Sequence, residues 1–155
     1  MADDGALFIG YDHIAYATRD TDASVKLFEA LGFTVKIYKQ EIDKFNVFVT
    51  KLVSQDHHVA ELVESRGGPS VVTELLGDKE TAVYHVCFKT NDFQRAREKL
   101  KGTGAVTVTR PMRIPYPLTP EHERFWASHM YHPSLGLFEI TGPDAVDEAA
   151  LAEGT

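Results

Sequence analysis

The chain has 155 residues, 43% of them hydrophobic and 25% charged, with a formal net charge of −7. It is long enough to bury a core as one domain or two small halves; no apolar run approaches the ~20 residues of a membrane span, and the opening MADDGALFIG carries acids where a secretory signal needs positive charge. The single cysteine, Cys87, excludes an intrachain disulfide and a cysteine-based zinc site and fits a reducing, cytoplasmic setting, while a mildly acidic body with no basic run argues against nucleic acid and anionic membranes as partners.

In chain order, Tyr11–Thr18 alternates and is rich in β-branched and aromatic residues, which predicts a strand. Asp22 can cap a helix that places Ser24, Leu27, Phe28 and Leu31 at helical spacing, and Gly32 ends it and leads into a second strand. Strands Phe45–Val53 and His58–Glu64 follow, joined by the turn Ser54-Gln55-Asp56-His57. After Arg66-Gly67-Gly68-Pro69, Ser70–Leu76 reads as a short amphipathic helix. Val83–Thr90 then repeats the first strand. An offset of 72 residues aligns His13 with His85, Ile14 with Val86, Tyr16 with Phe88, Thr18 with Thr90, Asp20 with Asp92 and Gly32 with Gly104, without a gap. Asn91 or Asp92 caps the second helix, whose Phe93, Ala96 and Leu100 share a face. The remaining predicted elements are a strand over Ala105–Arg110, a Pro-rich loop over Pro111–Pro120, and strands Phe125–Tyr131 and Leu135–Thr141 around His132-Pro133-Ser134. Each half thus reads βαβββ, and the fold class is α+β: two pseudo-symmetric modules, 8–66 and 80–142, forming one domain over 8–142. Residues 143–155 read as an acidic, solvated tail with a short helix over 145–152.

Two histidines recur at equivalent strand positions, and each half ends in a strand with a carboxylate among apolar residues, Glu61 in VAELVE and Glu139 in LGLFEIT. An isolated carboxylate on such a strand is costly to bury, so it either faces solvent or has a partner. Two imidazoles and two carboxylates paired by a pseudo-twofold suit Zn, Ni, Co, Mn or Fe. Four protein ligands on an octahedral ion leave two positions for a substrate with two neighbouring oxygens.

The motifs YDHIAYAT, LFEALGF, AELVESRGGPSVVTELL, YHVCFKTNDFQRAREKL and YHPSLGLFEIT resemble the vicinal oxygen chelate superfamily and, within it, the methylmalonyl-CoA epimerase family. The likeness spans about residues 10–142. It implies that the two modules form an open metal-binding β cleft with a divalent metal on His13, Glu61, His85 and Glu139, and it implies a homodimer and a small carbonyl substrate, with an acyl-CoA among the candidates. The implied chemistry is removal of a proton beside a carbonyl to give an enolate. The resemblance places the base on the strand after the first helix, where Glu41 and Asp43 share strand parity and both stay open; Glu139 or a second acid serves the opposite face. The segment Met112–Trp126 is longer and more aromatic than the corresponding link of the epimerases. It suggests a wall to the substrate pocket made by Tyr116 and Trp126, with His129 nearby. The alternatives are a glyoxalase-like lyase, a tailoring enzyme of a secondary pathway acting on another dicarbonyl, and a non-catalytic small-molecule binding or resistance protein. His57 and His58 read as solvated, His122 as uninformative, Cys87 as a small core residue and His132 as part of a turn.

Overall fold

The computed structural model describes residues 5–114 and 116–143. In chain order these form β1 (Phe8–Thr18), α1 (Thr21–Ala30), β2 (Thr34–Ile42), β3 (Val47–Val53), β4 (Val59–Ser65), α2 (Val71–Leu76), β5 (Thr81–Thr90), α3 (Phe93–Gly102), β6 (Val106–Thr107), β7 (Met112–Arg113), β8 (Phe125–His132) and β9 (Gly136–Pro143). Single 3-10 turns cover Asp43–Phe45 and Pro120–Arg124. The fold is mixed α+β. Among the described residues no helix is long and apolar enough to cross a membrane. The acidic tail and its expected helix lie outside the described residues, apart from Pro143.

Contacts gather the chain into two compact units. One is His13–His85; the other joins the residues up to Asp12 with those from Val86 onward. β1 and β5 each pass from one unit into the other along the chain.

In the His13–His85 unit, β1 pairs in parallel with β4, and β4–β3–β2 continue as antiparallel neighbours. Asp20, not Asp22, caps α1: its carboxylate accepts the Ala23 N–H at 3.0 Å. A short side chain at the N-cap satisfies one of the helix's unpaired donors, and Asp20 holds the extended backbone this needs. Gly32, at φ +95°, turns the chain back where a side chain would be strained. The expected helix face is only partly used. Phe28 packs its ring 5.4 Å from Tyr16 and 5.2 Å from Phe33, whereas Leu27 and Leu31 are exposed. The apolar stripe is therefore narrower than its spacing suggests.

In the other unit, β5 pairs in parallel with β9, β9 with β8, and β8 with both β6 and β7. Asp92, the repeat mate of Asp20, caps α3 by accepting the Arg95 N–H at 3.0 Å. Phe93, Ala105, Trp126, Met130, Phe138 and Ile140 form a buried cluster, against which Phe88 and Leu100 pack. The strand expected over Ala105–Arg110 shortens to two residues, and the Pro-rich loop contributes β7.

The repeat extends to register. Glu61 lies opposite Ala15 across β1–β4, and Glu139 lies opposite Cys87 across β5–β9. Ala15 and Cys87 are 72 residues apart, as are His13 and His85. The different spacing of the two glutamates is therefore taken up in the loops, and each carboxylate occupies the same rung of its own unit.

Candidate metal centre

β1, β4 and β5 of the His13–His85 unit bring three donor side chains together. Residues paired across strands point to the same face, as do alternate residues along a strand. His13, two residues before Ala15, therefore shares a face with Glu61. The Nε2 atoms of His13 and His85 stand 3.3 Å apart, and Glu61 Oε2 lies 3.5 Å from His13 Nε2. One ligand atom from each of the three falls within 4.8 Å of the others. His13, Glu61 and His85 are 4%, 5% and 3% exposed.

This donor set fits a divalent cation. Two imidazole nitrogens and a carboxylate oxygen converge with little water to solvate them, and imidazole with carboxylate suits borderline divalent metals. A fourth side chain joins from β3, whose Lys51 is the register partner of Glu61. Lys51 Nζ lies 3.3 Å from Glu61 Oε2, and the residue is 2% exposed.

The other unit holds the second carboxylate. Glu139 faces His129 across β8–β9, with His129 Nε2 3.2 Å from Glu139 Oε2. The Thr109 hydroxyl sits 3.1 Å from His129 Nδ1 and accepts the His129 backbone N–H at 2.8 Å. Also in this unit, His122 Nε2 meets Asp12 Oδ1 at 2.9 Å while its Nδ1 accepts the Leu118 N–H. This buried pair ties the 112–126 segment to the start of β1, a role the sequence did not suggest.

Glu41 and Asp43 are not brought to the histidines. Register shifts in β2, one of them between Ile37 and Gln40, pair Gln40 with Val49 and Glu41 with Phe48. Val49 is two residues from Lys51 and shares its face, so Glu41 points to the opposite one. Lys39, at φ +45°, lies at the second of these shifts; each adds one residue to β2, so the two together leave its parity as it began. Asp43 lies in the 3-10 turn with its side chain 87% exposed, and Arg66 pairs with both acids. The face that Glu41 shares is the one α1 covers: Glu64 there accepts the Thr21 N–H at 3.1 Å and pairs with Lys39, whose pKa this hydrogen bond raises.

The expected aromatic wall is also corrected. Trp126 is buried in the apolar cluster described above; it is three residues from His129 along β8 and so has the opposite parity. Tyr116 is half-buried in the segment between β7 and the second 3-10 turn. The same unit contains a cavity of about 660 Å³ beside α3, lined by Phe8, Tyr11, Phe88, Leu100 and Phe138 among others. None of the candidate ligands lines it.

The chain belongs to the glyoxalase/bleomycin resistance protein/dioxygenase superfamily, whose family model matches residues 12–117. Its fold is that of methylmalonyl-CoA epimerases. The epimerase from Mycobacterium tuberculosis superposes with a TM-score of 0.73 at 17% identity, over 91% of this chain and 92% of that one. A selenomethionine epimerase structure gives 0.73 at 19%, over 92% and 100%. An epimerase in complex with methylmalonyl-CoA and ammonium gives 0.69 at 23%, over 92% and 99%. No curated protein sequence matches.

Proposed function

We propose that the protein is a metal-dependent isomerase or epimerase that moves a proton at a carbon next to a carbonyl, with His13, Glu61 and His85 as ligands of a divalent ion. The convergence of three buried donor atoms within 4.8 Å carries this reading. A divalent ion held there would supply Lewis acidity to a carbonyl oxygen, which acidifies a neighbouring C–H. His13 and His85 would hold it through ring nitrogens and Glu61 through its carboxylate, which Lys51 orients. Low water access strengthens these interactions. Proton transfer needs a group within hydrogen-bond reach of the reacting carbon. Glu41 points away from the three ligands and Asp43 is solvated, so neither meets that requirement. The substrate is a small carbonyl compound, with acyl-CoA thioesters the first class to try because structural neighbours bind them. A homodimer belongs to the same reading and is tested by sedimentation.

The deciding experiment is elemental analysis of protein purified without added metal, repeated on His13→Ala and His85→Ala, followed by deuterium exchange into methylmalonyl-CoA. One divalent ion per chain, lost in both variants, together with exchange that needs the ion, supports the proposal. Full exchange by a metal-free variant refutes it. A second reading, a binding protein without turnover, is favoured by the positions of Glu41 and Asp43. Stoichiometric binding of an acyl compound with no deuterium incorporation would establish it.

A further inference from the structure

The cavity beside α3 lies wholly within the unit that joins the residues up to Asp12 with those from Val86 onward, and the proposed chemistry makes no use of it. Its volume, about 660 Å³, falls within the roughly 300–1,000 Å³ of small-molecule sites. α3 lines it with Ala96, Lys99, Leu100 and Thr103, whose spacing puts them on one face of the helix. Neighbouring rings of Phe8, Tyr11, Phe88 and Phe138 on its wall have centroids 5.3–6.0 Å apart. The chain leading into β1 forms another side. Asn91 holds it there, donating from its backbone N–H to Leu7 O at 3.0 Å and from its side chain to Ala6 O at 3.3 Å. Phe8 and Tyr11 are 50% and 65% exposed, so the chain leaves much of this aromatic surface wet.

The polar side chains of the wall are mostly spent on the protein itself. Thr90 Oγ1 donates to Thr141 O at 3.1 Å and Thr103 Oγ1 to Leu100 O at 2.6 Å. His132 Nδ1 accepts the Ser134 N–H at 3.0 Å, so its other nitrogen carries the proton, which Thr103 O accepts at 3.1 Å. The last carbonyls of α3, Leu100 O and Lys101 O, take the N–H groups of Thr103, Gly104 and Ala105. Two lining groups have no partner among the described residues, the Lys99 ammonium and the Tyr11 hydroxyl. Lys99 is exposed and so marks the solvent end of an otherwise apolar space.

We infer that this cavity is a second ligand site, independent of the metal centre, for an alkyl chain ending in one carboxylate. The chain fills the space between α3 and the aromatic rings, and the head pairs with Lys99. A second copy of the protein laid over this face would leave that space empty, and a void forfeits contact energy. A flexible chain removes the void, and its single charge matches the single cation.

The test is calorimetric titration of the full chain with decanoate, octanoate and decanol, with and without EDTA, and amide NMR to locate the probe. Decanoate should bind once per chain, equally in EDTA, and shift the amides of Ala96, Leu100 and Leu135. Octanoate should bind about tenfold more weakly, because each buried methylene is worth about fourfold. Decanol should bind about twofold to fivefold more weakly, the worth of an exposed ion pair. Lys99→Gln should make decanoate and decanol equal, and Ala96→Phe, which narrows the cavity, should weaken both at least tenfold. Decanoate binding that vanishes in EDTA would place the head on the metal ion and overturn the inference. Equal affinity for decanoate and decanol in the wild type, or for decanoate and octanoate, would also overturn it without recourse to any variant. So would wild-type affinity in folded Ala96→Phe. Absence of saturable binding would leave the cavity to another occupant and refute the inference, while the metal analysis of the preceding section would stand or fall separately.

Discussion

The Lys51–Glu61 pair makes a stability prediction that needs neither substrate nor metal. The two side chains are 3% and 7% exposed and 3.3 Å apart. At an effective dielectric of about 20, their Coulomb attraction is about 5 kcal/mol, much of it offset by lost hydration. Removing one partner takes the nearest opposite charge from the other, and breaking a buried pair typically costs about 3–5 kcal/mol. Glu61→Gln should therefore destabilise the metal-free protein by about that amount, a fall of roughly 6–20 °C in Tm for a chain of this size. Lys51→Met should cost a similar amount, because it breaks the same buried pair. The double variant Lys51→Met/Glu61→Gln removes both charges and should be more stable than the sum of the single losses predicts by about 2 kcal/mol or more. Urea unfolding of the four proteins in EDTA measures this. Additive losses, or a Glu61→Gln effect below about 0.5 kcal/mol, would show that the two charges do not depend on one another and would refute the argument from burial.

Three further outcomes are expected. Glu41→Gln and Asp43→Asn should each leave Co²⁺ stoichiometry unchanged and affinity within about twofold, since solvated charges off the ligand face couple weakly to it; a tenfold change in either would return that acid to the centre. Gly142→Ala should destabilise the fold by about 1–3 kcal/mol through overpacking, because the added Cβ would meet Thr90 O and Oγ1 at 2.5 Å; thermal melting equal to the wild type would contradict that packing. The Tyr38 hydroxyl donates to Asp22 Oδ1 at 2.6 Å, and that hydrogen bond raises the Tyr38 pKa above 10.0. The native state therefore holds this proton more tightly than the unfolded chain. The stability it contributes is present below pH about 10 and is lost as pH rises through the folded-state pKa. Ultraviolet titration should show one tyrosine ionising late, and Asp22→Asn should bring it back.

The candidate ligands were legible in the sequence because they depend on a repeat and on short-range pattern. The 72-residue offset marks His13 and His85, and a carboxylate among apolar residues marks Glu61 and Glu139. Lys51 carries the same signal, a charge inside the apolar strand FVTKLV, and the logic applied to Glu61 would have found it. The caps were visible as residue types but not as positions: Asp22 looked suitable, yet Asp20 has the extended backbone that lets its carboxylate reach the Ala23 N–H.

By itself, then, the sequence determined the two βαβββ modules, the histidine rungs and the carboxylates, all set by local propensity and by the two-residue alternation of strands. Only the tertiary structure decided which face each alternation presents. The register of β2 on β3, after two one-residue shifts, sets Glu41 opposite Phe48 and so on the face away from Lys51 and Glu61, because which residues meet across paired strands depends on where the backbones bond and not on composition. Parity along β8 sends Trp126 into the apolar cluster beneath α3 and leaves His129 beside Glu139. Register, likewise, places Lys51 against Glu61: which residues face one another across two strands is set by where hydrogen bonds pair the backbones, and neither strand states that alone.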